Sequence, residues 1–201
     1  MMGKKWTKDK YQRSAVVVAP KLLGQYLVHV VGQTTYVGRI VEVEAYGGTY
    51  RRKPDDGAHS FKGLTRRTEP MFAAGGISYV YLIYGMYHCV NIVTAPAGDA
   101  QAVLIRALEP VSGIDAMLAN RKMTTVKTNL TNGPGKLCRA MDITLAQNKL
   151  DLCSNELYVL HPDKKPRFTV ARSTRKNIDY ATEGKHFPWR FYIKDNPYVS
   201  H

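Results

Sequence analysis

Cysteine is scarce in this sequence. The three cysteines, Cys89, Cys138 and Cys153, lie far apart and form no Cys-x-x-Cys pair. An odd number of cysteines cannot pair completely within one chain, so a disulfide-stapled scaffold and a cysteine-rich zinc module are both excluded. The composition favours a reduced, cytoplasmic protein.

Long hydrophobic runs are also missing. The apolar run near the N-terminus covers Ala15–Ala19 and stops at Pro20, which is too short for a signal-peptide core or a membrane span. We therefore expect no membrane partner.

A chain of 201 residues, 44% of them hydrophobic, can bury one substantial core but is short for two. We predict a single domain over residues 1–201.

Acidic residues are few. Asp and Glu total 16 against 29 Lys and Arg, which gives a formal net charge of +13 and a pI of about 9.7. The basic residues are spread along the chain instead of forming one tail, over residues 4–10, 51–53, 62–67, 121–127, 164–167 and 172–176. This distribution indicates a folded basic surface that attracts a polyanion such as nucleic acid. The alternative is that the charge serves solubility alone.

Runs of β-branched and aromatic residues between turn residues predict an α+β fold. After a loose segment at residues 1–13, we predict a short helix over 15–23 and strands over 26–31, 36–46, 77–83, 90–94, 102–108, 156–161, 168–172 and 189–193. Residues 47–76 form a long irregular connection. Pro110 and Pro134 occupy the favoured first-turn position of two helices, which we expect to reach Arg121 and Met141.

Glu42, Glu44 and Tyr46 alternate along one predicted strand, so their side chains share a face. A carboxylate within an apolar, β-prone run is a candidate for activating water in a hydrolysis. The alternative is a solvated face on which both glutamates pair with arginines.

Four tyrosines lie close together in sequence: Tyr79, Tyr81, Tyr84 and Tyr87. A buried phenol oxygen needs a hydrogen-bond partner, so the cluster suits a polar-edged surface on which bases stack. Ordinary packing of aromatic strands in a core explains it equally well.

Two other motifs suggest a metal site and a nucleotide site, but their spacing argues against both. His59 follows Asp55 and Asp56, but the spacing matches no zinc pattern, so we predict no metal site. The motif Gly133-Pro-Gly-Lys136 combines glycines, a lysine and a helix start. It lacks the P-loop spacing, which argues against a nucleoside triphosphate site.

Seven stretches in order over residues 19–199 carry a family resemblance: Leu22–Gln25, Val41–Tyr46, Ala58–Ser60, Tyr79–Tyr87, Leu104–Pro110, Gly133–Cys138 and Arg190–Tyr192. In these stretches the sequence resembles the alkyladenine, or 3-methyladenine, DNA glycosylase family of the human type. Because the chain has no long extension, it looks like a compact bacterial form. The resemblance implies a curved, mostly antiparallel, open-barrel-like sheet with a protruding hairpin and flanking helices.

The resemblance implies catalytic roles for two residues. Glu44 would be the general base that activates the attacking water, and Arg106 would position that water and the carboxylate. Tyr46 on one side and His59 with Tyr81 on the other would sandwich the damaged base, because electron-rich rings stack well on an electron-poor alkylated purine.

Three further roles follow from the resemblance. Leu104 and Asn91 would line the pocket, where Asn91 sterically opposes the exocyclic amino group of normal guanine. Tyr84 would enter the minor groove and replace the extruded nucleotide.

These roles require Tyr81 and Asn91 to face the same pocket across a hairpin. A two-residue loop at Gly85-Met86 would pair residue 81 with residue 90 and turn Asn91 away. An odd loop of residues 84–86 pairs residue 81 with residue 89 and aligns Asn91. We therefore predict the odd loop, or a bulge, with Tyr84 at the hairpin tip.

The segment Gly63–Met71 departs from the human pattern, which leaves the contacts to the DNA backbone open. Arg66, Arg67, Lys136 and Arg172 are candidate phosphate-binding residues; the alternative for each is an ordinary solvated cation.

Alkylation at N3 or N7 makes a purine cationic and a good leaving group, so the resemblance implies hydrolysis without a metal or cofactor. A neutral base such as hypoxanthine also needs protonation. No lysine lies beside the predicted pocket strands, so we expect no Schiff base and a monofunctional enzyme.

The expected partner is double-stranded DNA that contains a damaged base, bound by a monomer at the nucleoid if the source is bacterial. The expected process is base excision repair of 3-methyladenine and 7-methylguanine, and in addition of hypoxanthine and ethenoadenine. Two alternatives stay open: a non-catalytic protein that binds alkylation-damaged DNA, and an RNA-binding domain built on the same aromatic sheet.

Overall fold

The computed structural model describes residues 3–164 and 166–200. Within them the helices are α1 (Lys8–Tyr11), α2 (Ala15–Leu22), α3 (Ile114–Arg121) and α4 (Pro134–Ala140). The strands are β1 (Tyr26–Val31), β2 (Thr34–Tyr46), β3 (Thr49–Tyr50), β4 (Lys53–Pro54), β5 (Ser78–Ile83), β6 (Tyr87–Thr94), β7 (Gln101–Ser112), β8 (Leu157–Leu160), β9 (Val170–Ser173) and β10 (Arg190–Ile193). The predicted α+β class is confirmed.

Eight of these strands form one antiparallel sheet in the order β5-β6-β7-β2-β1-β8, and β10 joins it by pairing with β2 and β9. Strand β2 is central because its 13 residues pair with three neighbouring strands. One edge pairs with β7, and the other pairs with β1 through residues 34–39 and with β10 through residues 42–44. Among the described residues the sheet is not closed into a barrel, as predicted.

The alternation of side chains along β2 separates the core from a polar face. Val41, Val43 and Ala45 are fully buried in the main apolar cluster, and α2 packs against this strand. Glu42 and Glu44 point to the opposite side of the sheet because successive strand residues alternate. The sheet thus carries its apolar core on one face of β2 and two carboxylates on the other.

Residues 3–13, which precede α2, are packed, and this corrects the prediction of a loose segment there; residues 1 and 2 of that prediction lie outside the described residues. The backbone of Trp6 donates to Val159 of β8, and its indole donates to Gln25. Trp6 and Tyr11 are both buried, with ring centroids 5.3 Å apart. The polar composition of the segment hid two aromatic side chains that have enough apolar area to hold it against the sheet.

The prediction that Pro110 begins a helix was wrong. Strand β7 runs through Pro110 to Ser112, and α3 begins only at Ile114, after Gly113. Pro110 is opposite Gly38, next to a shift in the pairing of β2 with β7, and such irregular positions tolerate a residue without an N–H. Gly113 has a φ of 74°, and a Cβ there would lie 2.7 Å from the carbonyl oxygen of Thr35.

The hairpin of β5 and β6 has the predicted odd loop. Tyr81 pairs with Cys89, and Ile83 pairs with Tyr87, so residues 84–86 form the connection. Tyr84 has a φ of 53° and its side chain is 77% exposed at the tip.

No helix within the described parts of the chain is long and apolar enough to cross a membrane.

Replacing Trp6 by alanine should test whether the first segment belongs to the folded core. The substitution Trp6→Ala should lower the free energy of unfolding by about 3–5 kcal/mol, the usual cost of truncating a buried tryptophan. Val17→Ala, at a position that is 41% exposed, is the control and should cost less than about 0.5 kcal/mol. Urea unfolding measures both, and equal losses would contradict a packed segment.

Candidate active site

One row of residues crosses four strands of the sheet. Glu44 of β2 is opposite Leu104 of β7, Leu104 is opposite Asn91 of β6, and Asn91 is opposite Tyr79 of β5. Directly paired residues of an antiparallel sheet point to the same side. The register therefore brings a carboxylate, an aliphatic chain, an amide and a phenol to one face.

A cavity of about 140 Å³ lies against this face. Its lining includes six residues that the sequence predicted for the pocket: Tyr46, His59, Tyr81, Asn91, Leu104 and Arg106. Glu44 lies immediately behind the lining and is fully buried. The structure thus brings the predicted pocket residues together.

The carboxylate of Glu44 accepts hydrogen bonds from three cavity-lining residues. Its Oε2 accepts from the phenol of Tyr46 at 2.9 Å and from Nη1 of Arg106 at 3.2 Å. Its Oε1 accepts from the backbone N–H of Lys176 at 2.8 Å. Donors of this kind stabilise the negative charge of a buried carboxylate.

Arg106 connects Glu44 with the second carboxylate of β2. Its Nε donates to Glu42 at 3.2 Å while Nη1 reaches Glu44. The pairing is irregular here, since Glu42 pairs with Ala107 while Val43 pairs with Ile105, leaving Arg106 between them. Burial alone would lower the pKa of Arg106, but the two carboxylates raise it above its usual value. The guanidinium is therefore a permanent cation.

Tyr46 forms one wall of the cavity. Burial raises the pKa of its phenol well above the usual value, and the charge of Glu44 adds to this effect. The guanidinium of Arg175 lies 4.5 Å from the ring centroid, and Arg175 is itself held by a buried ion pair with Asp55 at 2.6 Å. The phenol therefore stays a hydrogen-bond donor to Glu44, with a cation against its ring.

His59 lies between Tyr79, Tyr81 and Arg67. Its Nδ1 is 3.1 Å from the phenol oxygen of Tyr79, and Nη2 of Arg67 donates to its Nε2 at 3.4 Å. Burial lowers the pKa of His59 from 6.5 to about 4, and the charge of Arg67 contributes. The imidazole is therefore neutral at physiological pH.

The rings of His59 and Tyr81 meet edge to face, at 77° with centroids 4.8 Å apart. Only one of two such rings can present its face to the same flat ligand. This arrangement refines the prediction that both together form one side of a base sandwich.

Asn91 is fixed within the cavity wall. Its Nδ2 donates to the backbone carbonyl of Tyr79 at 3.0 Å, and the residue is 4% exposed. The side chain is thereby held in one orientation at the cavity.

The candidate phosphate-binding residues have different surroundings. Arg66 is exposed, whereas the guanidinium of Arg67 lies 5.0 Å from the ring centroid of Tyr81. Lys136 donates to Asn132 at 2.8 Å. Arg172 pairs with Phe191, which pairs with Val43, so it faces the core side of the sheet, away from the cavity. The geometry gives no support to Arg172 as a contact for DNA at the cavity.

Sequence reasoning missed the loop that covers Glu44. Asp55 accepts from Arg175, and Asp56 accepts from the backbone of Thr182, Glu183 and Gly184. These contacts fold residues 175–184 over residues 55–57 and bring Lys176 to the cavity lining. The premise that no lysine lies beside the pocket was therefore wrong. The opposite charges of the two loops were visible in the sequence, but their separation by about 120 residues hid the contact.

Among the residues that the structure describes, no three His, Cys, Asp or Glu side chains come together so as to hold a metal ion. An aromatic-walled cavity with a polar floor suits a flat heteroaromatic ligand. A buried carboxylate behind that floor is equipped to activate water, which is the arrangement of a hydrolase pocket for a base.

Comparison with known proteins identifies the family. The model of the methylpurine-DNA glycosylase family matches residues 9–197. Proteins of Bacillus cytotoxicus and Bacillus cereus, each named "Putative 3-methyladenine DNA glycosylase", are 52% identical to this chain, with 94% of this chain and 96% of each relative covered. The chain belongs to the methylpurine-DNA glycosylase family. It is thus a DNA glycosylase of alkylation-damage repair, and DNA is its substrate.

The neutral state of His59 has a measurable consequence for stability. Below about pH 6.5 the unfolded chain takes up a proton at His59 that the folded protein refuses until about pH 4. The lowered pKa of His59 therefore decreases the free energy of unfolding as the pH falls from about 6.5 to about 4. Between about pH 7 and about pH 4.5, wild type should lose more free energy of unfolding than His59→Gln. Equal losses would contradict the lowered pKa.

The variant Arg67→Gln is the control for this experiment. Because Arg67 is the second cause of the lowered pKa, the loss in Arg67→Gln should lie between those of wild type and His59→Gln.

Proposed function

We propose that this protein rotates alkylated purine nucleotides out of double-stranded DNA and hydrolyses their N-glycosidic bonds, with Glu44 as the general base. The observation that carries the proposal is the position of Glu44, which is one hydrogen bond away from Tyr46, Arg106 and Lys176 at the cavity wall. No cofactor is needed for this chemistry, because an alkylated purine is already a good leaving group.

The hydrogen bonds of Glu44 support a place for the attacking water. A carboxylate offers about four acceptor positions. Two donors bind Oε2 and one binds Oε1, so the second position of Oε1 is available to a water molecule. Glu44 would take a proton from that water as the water oxygen bonds to the sugar carbon, and the purine would leave with the electron pair of the N-glycosidic bond.

The cavity wall supports alkylated purines as the substrate class. A cationic 3-methyladenine or 7-methylguanine would stack against Tyr46 and against the face of either His59 or Tyr81. The neutral His59 adds no repulsion toward such a cation. Asn91, held in the cavity wall, would sterically exclude the amino group of normal guanine, and hypoxanthine and ethenoadenine are candidate neutral substrates.

The hairpin tip and the net charge support base extrusion from a duplex. Tyr84 is exposed on a loop that lifts it out of the β5–β6 ladder, where it would replace the extruded nucleotide in the stack. The charge of +13 would hold the DNA backbone. We expect the protein to act as a monomer in the cytoplasm, at the nucleoid.

Strand cleavage is not part of the proposed reaction. The Schiff-base route needs an amine at the sugar. The group of Lys176 that contacts Glu44 is its backbone N–H rather than its amine. The product strand should therefore stay intact until alkali is added.

The decisive experiment compares base release by wild type and by Glu44→Gln. Glutamine keeps the shape of glutamate but cannot take a proton, so release of 3-methyladenine from alkylated duplex DNA should fall by about 10²–10⁴-fold. Binding of the damaged duplex should be kept. Glu156→Gln, on the exposed surface, is the matched control and should release base at the wild-type rate.

Three outcomes would reject this proposal. Equal release by wild type and Glu44→Gln would show that another group activates the water. Tight binding of damaged DNA by both proteins without any release would favour a non-catalytic damage-binding protein, and preference for RNA over a damaged duplex would favour an RNA-binding domain.

Tyr84→Ala tests the role of the hairpin tip. Loss of one stacking ring, worth about 1–3 kcal/mol, should slow base release by about fivefold to 100-fold and leave binding to undamaged duplex nearly unchanged. Tyr84→Phe retains the ring and should behave as wild type. Equal losses of release and of undamaged-duplex binding in Tyr84→Ala would count against a wedge.

A further inference from the structure

Glu42 is the centre of a buried network on the same face as Glu44. Its Oε1 accepts from Nε of Arg106 at 3.2 Å, from Nε of Arg190 at 2.6 Å and from Oγ of Ser200 at 2.9 Å. Its Oε2 accepts from the backbone N–H of Ser200 at 2.7 Å. These four bonds engage both oxygens of the carboxylate, three on Oε1 and one on Oε2. Glu42 is therefore engaged in holding its neighbours.

Through this network Glu42 sets the direction of Arg106. A guanidinium is planar and rigid, so anchoring its Nε on Glu42 determines where its Nη1 points. Nη1 then meets Oε2 of Glu44 at 3.2 Å. A shift of Arg106 toward Glu42 would remove the donor from Glu44.

Arg190 and Ser200 balance the charge of Glu42. The carbonyl of Ser200 accepts from Nη2 of Arg190 at 3.0 Å, while Nη1 of Arg190 donates to Ser173 at 3.0 Å. Glu42 thus receives one cation and two neutral donors besides Arg106. Without them, Glu42 would be an undercompensated buried charge that draws Arg106 away from Glu44.

We propose that Glu42, Arg190 and Ser200 are positioning residues, which act on base release through Arg106 although none of them lines the cavity. The inference rests on the function proposed above. It predicts that residue 200, which follows Glu44 by more than 150 positions, influences the chemical step.

Ser200→Ala is the mildest test because it removes a single donor. With enzyme in excess and saturating, single-turnover release of 3-methyladenine should be about fivefold slower, which corresponds to the net worth of one hydrogen bond. The dissociation constant for the damaged duplex should not change. Ser78→Ala is the matched control: Ser78 is another buried serine, whose Oγ donates to Gln147 away from the cavity, and its loss should not change the rate.

A double-mutant cycle separates positioning from general stability. Glu42→Gln should slow release by about tenfold to 100-fold, the range expected for a misplaced catalytic group. In the Arg106→Gln background the same change should have no further effect, since Glu42 acts through Arg106. Glu42→Asp keeps the charge and should recover part of the rate. If Glu42→Gln does not fold, Ser200→Ala takes its place in the cycle.

Three outcomes bear on the inference. Wild-type rates in Ser200→Ala and Glu42→Gln would overturn it while leaving the proposed function intact. Effects that add fully to that of Arg106→Gln would also overturn it. A wild-type protein that releases no base would overturn the proposed function and this inference together.

Discussion

The candidate site depends on the register of an antiparallel sheet. Glu44, Leu104, Asn91 and Tyr79 share one face only because each pairs directly with the next. A slip of one residue in any of these pairings would turn a side chain to the other face. The odd hairpin loop keeps Tyr79 opposite Asn91. The pairing of β2 with β7 has the same offset on both sides of the irregularity at Glu42, which keeps Glu44 opposite Leu104.

This arrangement requires charged side chains to be buried, which costs desolvation free energy. Six ionisable side chains of the site are buried, and each has a partner of opposite charge: Glu42, Glu44, Asp55, Arg106, Arg175 and Arg190. Buried ion pairs often contribute little net stability, because desolvation offsets their attraction. What they contribute here is geometry, since a carboxylate and a guanidinium held by several bonds cannot reorient when a ligand enters.

The cavity is built half from the sheet and half from loops. Strands supply Tyr46, Asn91 and Arg106, whereas His59 and Lys176 come from connections. The loops are fastened to each other through the buried side chain of Asp55 and through Asp56, which accept hydrogen bonds from residues 175 and 182–184. Such a division lets a rigid sheet carry the chemistry while loops shape the entrance.

The sequence by itself determined the α+β class, the net positive charge and the order of the residues that line the cavity. Parity along the hairpin, joined to the family resemblance, was enough to predict that Tyr81 and Asn91 face one pocket, because strand alternation is a local rule. Local rules also misled: Pro110 has the sequence context of a helix start, yet its pairing partner keeps it in a strand.

Only the tertiary structure decided what surrounds Glu44. Lys176 reaches it across 132 residues, and Ser200 reaches Glu42 across 158. Hydrogen bonds of such separation depend on the paths of loops and on which buried charges find partners, and no periodicity in the chain encodes either. The sequence therefore contains the residues of the candidate site, and the folded chain alone sets their distances and their charged partners.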